Sequence, residues 1–442
     1  MDRRISDLGR FANYGRVVRI AGLVIEAVGL DVGMGALCRV SSLTDARAVL
    51  AEVCGFQDGG VLLMSLGELE GIHAGAMVQP LGRSFGVQVG PGLLGRVLDG
   101  IGNPIDGGPR IDVAERMPLS AEPPNPLHRQ TITQPLVTGV RAIDGLLTLG
   151  QGQRVGIFAG SGVGKSTLLG MIARRSTADV NVIALLGERG REVRDFLDNA
   201  LGPEGLARSV VIVATGDQAA LVRARGAMVA TAIAEYFRDE GKNVLLMVDS
   251  ITRVAMAWRE IGLAVGEPPT TKGYPPSVFA NLPRLLERAG NGSTGGITGL
   301  YTVLVDGDDF NEPVADAARS ILDGHLVLTR RLASAGHFPA IDVLESKSRL
   351  RDQVTPKSQQ DTAQSLLRAE AAYREKEDLV LVGAYQKGSD PMVDAALQFR
   401  DPILGFLRQT PSEATPYEET RAHLAGLAAR IDAAASVRRA AA

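Results

Sequence analysis

The stretch Ala159-Gly160-Ser161-Gly162-Val163-Gly164-Lys165-Ser166-Thr167 restricts the possible fold more than any other part of the chain. An apolar run, Val155-Gly156-Ile157-Phe158, precedes it, and a helical pattern continues from Thr167 to Ala173. Strand, glycine loop and helix in that order are what a phosphate-binding loop requires. Glycines let successive backbone N–H groups converge on one anion, and the helix N-terminus adds the positive end of its dipole. Lys165 is then expected on the β- and γ-phosphates and the Ser166 hydroxyl on Mg²⁺. Gly160, Ser161, Gly162, Val163, Gly164 and Thr167 complete the cradle. Ala159 stands where the motif has its first glycine, a position alanine fills only with φ below zero. The stretch predicts binding of a nucleoside triphosphate.

A length of 442 residues suggests about three domains. Hydrophobic content of 45% and charged content of 22% describe an ordinary globular chain. The formal charge of −3 gives no general pull toward nucleic acid or an anionic membrane. Cys38 and Cys54 have neither metal-ligand spacing nor a disulfide framework, which fits a reducing cytosol. Met1-Asp2-Arg3-Arg4 leads into no apolar segment of the secretory kind. Because no apolar run approaches about 18 residues, contact with a membrane is expected through partners.

Residues 1–14 place Ile5, Leu8, Phe11 and Ala12 on one side of a helical wheel. So short a helix is marginal alone in water, and the segment is expected to dock on a partner. Over 15–90, short β-branched runs such as Arg16-Val17-Val18-Arg19-Ile20 and Gly60-Val61-Leu62-Leu63-Met64 alternate with glycine turns. That texture predicts a small β-barrel. Over 91–355 the period changes. Strand candidates are Val155–Ala159, Val182–Leu186, Val210–Val213, Val244–Val248, Leu300–Val305 and Leu326–Leu328, with helical patterns such as Ala219–Phe237 and Val314–Leu322 between them. The alternation predicts a parallel sheet covered on both faces, with ligand beyond the carboxyl ends of its strands. Over 356–442 the chain reads as helices. Ala363, Leu366, Leu367 and Ala371 recur at helical spacing, and Asp390-Pro391 reads as an N-cap followed by proline at the first helical position.

Three further residues suit the chemistry of a bound triphosphate. Asp249 ends the run Val244-Leu245-Leu246-Met247-Val248, placing a carboxylate at a strand tip, where it can hold a Mg²⁺-bound water. Glu188 follows the strand Val182–Leu186; were that strand beside the loop strand, Glu188 would orient the attacking water. From position alone it reads rather as one member of a solvated Glu/Arg turn. Arg349 closes the run Ile341-Asp342-Val343-Leu344-Glu345-Ser346-Lys347-Ser348, and a neighbouring subunit could present such an arginine to the phosphoryl group. By itself it also suits a plain domain edge.

These pieces, occurring together and in order, resemble the hexameric ATPase family of rotary ATP synthase heads and type III export ATPases. The similar stretches run from Gly95-Arg96-Val97-Leu98-Asp99-Gly100-Ile101-Gly102-Asn103-Pro104 through the phosphate loop, Gly187-Glu188-Arg189, Asp249 and Ser348-Arg349, covering roughly residues 15–410. The resemblance implies a multidomain α/β chain: an N-terminal β-barrel, a RecA-like central domain and a C-terminal α-helical domain. It also implies a ring of six subunits with ATP and Mg²⁺ at each interface. Residue by residue, it implies Glu188 as the water-activating carboxylate, Arg349 as a finger in trans and Arg189 near the phosphates. Phe338, in Gly336-His337-Phe338-Pro339, matches an aromatic that packs on the adenine, with Tyr417 facing it.

Within that family the chain resembles the export branch. The stretches that carry this are Gly273-Tyr274-Pro275-Pro276-Ser277-Val278-Phe279-Ala280-Asn281-Leu282-Pro283-Arg284-Leu285-Leu286-Glu287-Arg288, Asp306-Gly307-Asp308-Asp309-Phe310-Asn311-Glu312-Pro313 and Gly383-Ala384-Tyr385-Gln386-Lys387-Gly388-Ser389-Asp390-Pro391. The implied activity is ATP hydrolysis in a flagellar protein-export apparatus, at the cytoplasmic face of the inner membrane. The implied partners are regulatory and stalk proteins, export substrates with their chaperones, and a membrane export gate. A virulence-type secretion ATPase shares every motif. A synthase subunit fits the central loop less well. A hexameric RNA translocase would need aromatic stacking positions in the barrel, where 15–90 holds only Phe56 and Phe85; nucleic acid is not an expected partner.

Overall fold

In the computed structural model, residues 14–42, 48–305 and 312–439 are described. The docking segment expected over 1–14 lies outside them except for Tyr14, as does Asp306 to Asn311 of the export-type stretch.

Strands β1 (Gly15–Ala21), β2 (Val24–Val28), β3 (Ala36–Ser41), β4 (Ala48–Gln57), β5 (Gly60–Ser65) and β6 (Met77–Ser84) close a barrel in the order β1-β2-β5-β4-β3-β6. In β1, Arg16 and Val18 are exposed around a buried Val17, the alternation of a strand with one face in a core. On β5 both faces are covered. Val61 and Leu63 fill the barrel, while Leu62 and Met64 join the core of the central domain. A Glu52–Arg225 ion pair adds a second tie between the two.

The central sheet comprises β7 (Val97–Asp99), β8 (Arg154–Ala159), β9 (Val180–Leu186), β10 (Ser209–Ala214), β11 (Asn243–Asp249), β12 (Gly296–Leu304), β13 (Gly324–Leu328) and β14 (Lys347–Ser348). Their order is β14-β13-β8-β12-β11-β9-β10-β7, with Gly290–Asn291 paired to β12 off this path. From β13 to β7 the pairs are parallel; β14 is an antiparallel edge. Every residue of β9 is buried, as expected of a parallel strand with helices on both faces. Its helices include α1 (Arg141–Leu146), α2 (Lys165–Arg175), α3 (Gly190–Asp195), α4 (Ala220–Asp239), α5 (Ile251–Ala264), α6 (Pro276–Leu286) and α7 (Pro313–Ile321). Side-chain parity sorts the two layers. On β11, Leu245 and Met247 share a core with α2, whereas Leu246 and Val248 share one with α4.

One expectation needs correction. The strand leading to Glu188, β9, is not beside the loop strand β8; β12 and β11 lie between them. Parallel strands adjacent in sequence need not be adjacent in the sheet, because each crossover can skip a position.

The C-terminal region is helical: α8 (Lys357–Leu381), α9 (Pro391–Gln398), α10 (Arg400–Leu407) and α11 (Tyr417–Arg439). Asp390 caps α9, its carboxylate accepting from the Met392 and Val393 amides. The stripe expected on α8 shifts. Ala363, Leu366 and Ala369 are buried, but Ala371 is exposed. Glu370 takes the inward position instead, because Arg400 of α10 pairs with it at 2.6 Å.

Segment 405–415 clasps the central domain. Buried Arg141 donates to the carbonyls of Gly405, Phe406 and Arg408 and to Thr415. Gln409 accepts from the Arg141 amide, donates to the Gly139 carbonyl, and gives its own amide to the Phe338 carbonyl at 2.9 Å. A different buried pair holds α4 against the end of α6. Arg288 and Glu235 are each 3% exposed, bonded Nε to Oε1 at 2.8 Å, and Arg288 also donates to the Leu119 carbonyl. Glu235→Ala would leave that guanidinium buried without its counter-charge, at an expected cost of about 3–5 kcal/mol. Urea unfolding should show the midpoint falling accordingly; an unchanged midpoint would refute the claim that the pair supports the fold.

Candidate active site

The phosphate loop lies at the carboxyl end of β8 and leads into α2. Ala159 ends the strand with φ outside the positive region, meeting the condition its missing glycine imposed. Gly162 and Gly164 supply the left-handed turns, at φ 77° and 86°. Ser161, Gly162, Ser166 and Thr167 are exposed, while Val163 anchors the loop in the core at 1% exposure. The open face of the loop therefore presents main-chain and hydroxyl groups.

Lys165 extends from the start of α2 over the sheet. Its Nζ bonds Asp249 Oδ1 and lies 3.5 Å from Glu188 Oε1. The lysine thus closes the gap left by the two intervening strands, bringing Glu188 to the loop despite the strand order. Asp249 is 2% exposed and Glu188 is 8% exposed. Burial pushes the Glu188 carboxyl above the usual range; the Lys165 charge opposes this and the Asp249 charge adds to it.

Two residues at the site were not anticipated. Thr302, on β12, donates its hydroxyl to Asp249 Oδ1 at 2.7 Å. Arg253, in the first turn of α5, brings Nε to 3.7 Å from Glu188 Oε1, and that Nε makes no hydrogen bond. Signals existed for both. Thr302 is the one aliphatic hydroxyl in the apolar run Leu300–Val305, and Arg253 is four residues beyond Asp249.

Phe338 stands against the loop; a Cβ added to Gly164 would lie 3.4 Å from its Cδ1. At 44% exposure it is not a core residue, and its ring is open to a planar base. Other expected residues are not gathered here. Arg189 is the N-cap of α3 with its side chain 81% exposed, and it pairs with Glu192 at 3.7 Å. The Tyr417 hydroxyl donates to Gln359 Oε1 of α8 at 3.0 Å, which ties the start of α11 to α8. Arg349 lies elsewhere altogether. Its amide donates to the Asp323 carbonyl, level with Arg154 at the amino end of β8, and its side chain is exposed. The loop begins about 16 Å further along that strand, at ~3.3 Å per residue.

For Mg²⁺ the donor set is hard oxygen: the Ser166 hydroxyl and the Asp249 carboxylate beside an anion cradle. Mg²⁺ accepts one or two carboxylates and takes its remaining oxygens from phosphate and water. The residues present fit it.

Loop, lysine, buried carboxylates and exposed aromatic together define a nucleoside-triphosphate site in a RecA-like domain between a barrel and a helical domain. Comparison with known proteins matches all three regions of the chain. Residues 17–82 match the ATP synthase alpha/beta family beta-barrel domain, 139–348 its nucleotide-binding domain, and 355–426 the T3SS EscN ATPase C-terminal domain. The chain is 53% identical over 420 residues to the flagellum-specific ATP synthase of Bacillus subtilis, covering 94% of this chain and 95% of that protein. It is 51% identical to the type 3 secretion system ATPase of Xanthomonas euvesicatoria, covering 95% of each. Its fold matches the assembled EscN ATPase of enteropathogenic E. coli with TM-score 0.89 and 46% identity, over 94% of this chain and 100% of that one. The chain belongs to the ATP synthase alpha/beta family, as an ATPase of type III export. Among the described residues no helix is long and apolar enough to cross a membrane.

Proposed function

We propose that this chain hydrolyses ATP at the interfaces of a homohexamer and that the cycle drives flagellar protein export. The observation that carries the reading is the Lys165 ammonium held between the two buried carboxylates Asp249 and Glu188 at the mouth of a phosphate loop. Lys165 would move to the phosphates and Glu188 would hold the attacking water, accepting its proton. Phe338 would stack on the base; for Tyr417 to face it and Arg189 to come near the phosphates, both side chains would have to leave the partners described above. Ser166 and Asp249 would hold Mg²⁺, which neutralises charge on the phosphates when bound.

Arg349 supports the ring. It is exposed at the far end of the sheet from its own loop, so any nucleotide it serves belongs to another copy. The EscN structure solved with its central stalk EscO supports a stalk partner for this chain too. Regulatory proteins, a docking role for residues 1–14, chaperoned substrates, and a gate at the cytoplasmic face of the inner membrane complete the proposal. The flagellar assignment follows the export-type stretches and the relatives named flagellum-specific at 53% identity. Deleting the gene should abolish filament growth; intact flagella with lost effector secretion would assign the chain to an injectisome instead.

Lys165→Ala tests the site itself. Nucleotide affinity, measured with a fluorescent ATP analogue, should fall about 10- to 100-fold, the worth of one charge-assisted hydrogen bond. Unchanged affinity would sink the reading.

A further inference from the structure

We propose that Thr302 is the positioning residue that keeps Asp249 aimed when Lys165 leaves it for the nucleotide. The inference rests on the reading above, in which Asp249 serves Mg²⁺.

The placement follows from register. β11 and β12 run parallel, with Met247 opposite Leu300 and Val248 opposite Tyr301, so Asp249 and Thr302 come level one residue later. Parity puts both on the α2 layer, since Met247 and Leu300 belong to the core shared with α2. At 0% exposure the Thr302 hydroxyl has no water to turn to. Its acceptors are Asp249 Oδ1 at 2.7 Å and the Val248 carbonyl at 3.5 Å, so the proton is committed to the carboxylate.

In the structure, Asp249 Oδ1 receives both Lys165 and Thr302. Once the lysine turns to a phosphate, the hydroxyl is the protein donor left on that oxygen. It holds Oδ1 in place and leaves Oδ2 outside the threonine's hydrogen bond. Without it, a buried carboxylate at a strand tip can rotate to other partners, among them Arg253 and returning Lys165. Thr302 also lies two residues before Leu304, whose amide donates to Thr252 Oγ1 of α5 at 2.9 Å. That bond fixes β12 against the helix that follows Asp249, so the donor and the carboxylate sit on braced backbone. Partners that orient a ligating carboxylate change metal affinity by about 10- to 100-fold.

The test uses the full-length protein and reads binding, not turnover. A fluorescent ATP analogue is titrated with Mg²⁺, and separately in EDTA. Thr302→Val keeps the shape and removes the donor. The Mg²⁺ concentration for half-maximal tight binding should rise about tenfold or more, with affinity in EDTA and the unfolding midpoint unchanged. Thr302→Ser should restore the wild-type Mg²⁺ response, which a purely structural role for the methyl group would not. Asp249→Asn separates the two layers of argument. If it leaves the Mg²⁺ response unchanged, the role given to Asp249 falls and the inference with it. If Asp249→Asn weakens the response but Thr302→Val does not, or if Thr302→Ser is no better than Thr302→Val, the inference alone is overturned.

Discussion

Arg349→Ala is expected to lower ATP turnover by about 10³–10⁵-fold, the range seen for arginines presented across an interface. Nucleotide binding to a single protomer should survive. The expectation follows from position: the arginine is exposed at the amino end of the sheet, while its own loop opens at the carboxyl end. No side-chain rearrangement spans that separation, so a catalytic role requires a second copy. Mixing Arg349→Ala subunits with Lys165→Ala subunits supplies the decisive measurement. Interfaces that combine the intact loop of one variant with the intact arginine of the other should recover activity. Failure to recover at every mixing ratio would leave Arg349 a structural residue.

Glu188→Gln should reduce kcat by about 10²–10⁴-fold with little change in ATP affinity, as expected on removing a general base. The pH profile gives the same residue a second signature. Burial raises the Glu188 carboxyl above the ordinary glutamate range, so the proton that inactivates it binds at higher pH than usual. The acid limb of kcat/KM should therefore fall away above the pH of an unperturbed glutamate, and the limb should vanish in Glu188→Gln. A wild-type limb at the ordinary carboxylate position, or an unaltered limb in the variant, would remove Glu188 from the chemistry.

Much of this architecture was legible because its signals are local. The loop needs glycines at fixed offsets, and parallel strands buried on both faces appear as unbroken apolar runs. Boundaries blurred where local signals thin out. β12 begins at Gly296, ahead of the apolar run, because Gly299 leaves the space the Tyr301 ring fills: an added Cβ there would lie 2.5 Å from Tyr301 Cε2. Ala371 was misplaced on the buried stripe of α8 because composition could not show Arg400 arriving from another helix to draw Glu370 inward. The order of strands, and hence the distance of β9 from β8, depends on crossovers that no local pattern encodes. Thr302 and Arg253 escaped notice for a related reason: each acts through a residue distant in sequence, Asp249 and Glu188 respectively.

The clasp made by Gln409 and Arg141 has a mechanical consequence. One short peptide holds the carbonyl of the aromatic beside the loop at one end and, through α10 and α11, the helical domain at the other. A displacement of the Phe338 backbone would reach Gln409 through that one hydrogen bond, and α10 and α11 through the chain on either side of it. The aromatic beside the loop and the helical domain thus share one short tether, the place where a change at the pocket would be passed to α10 and α11.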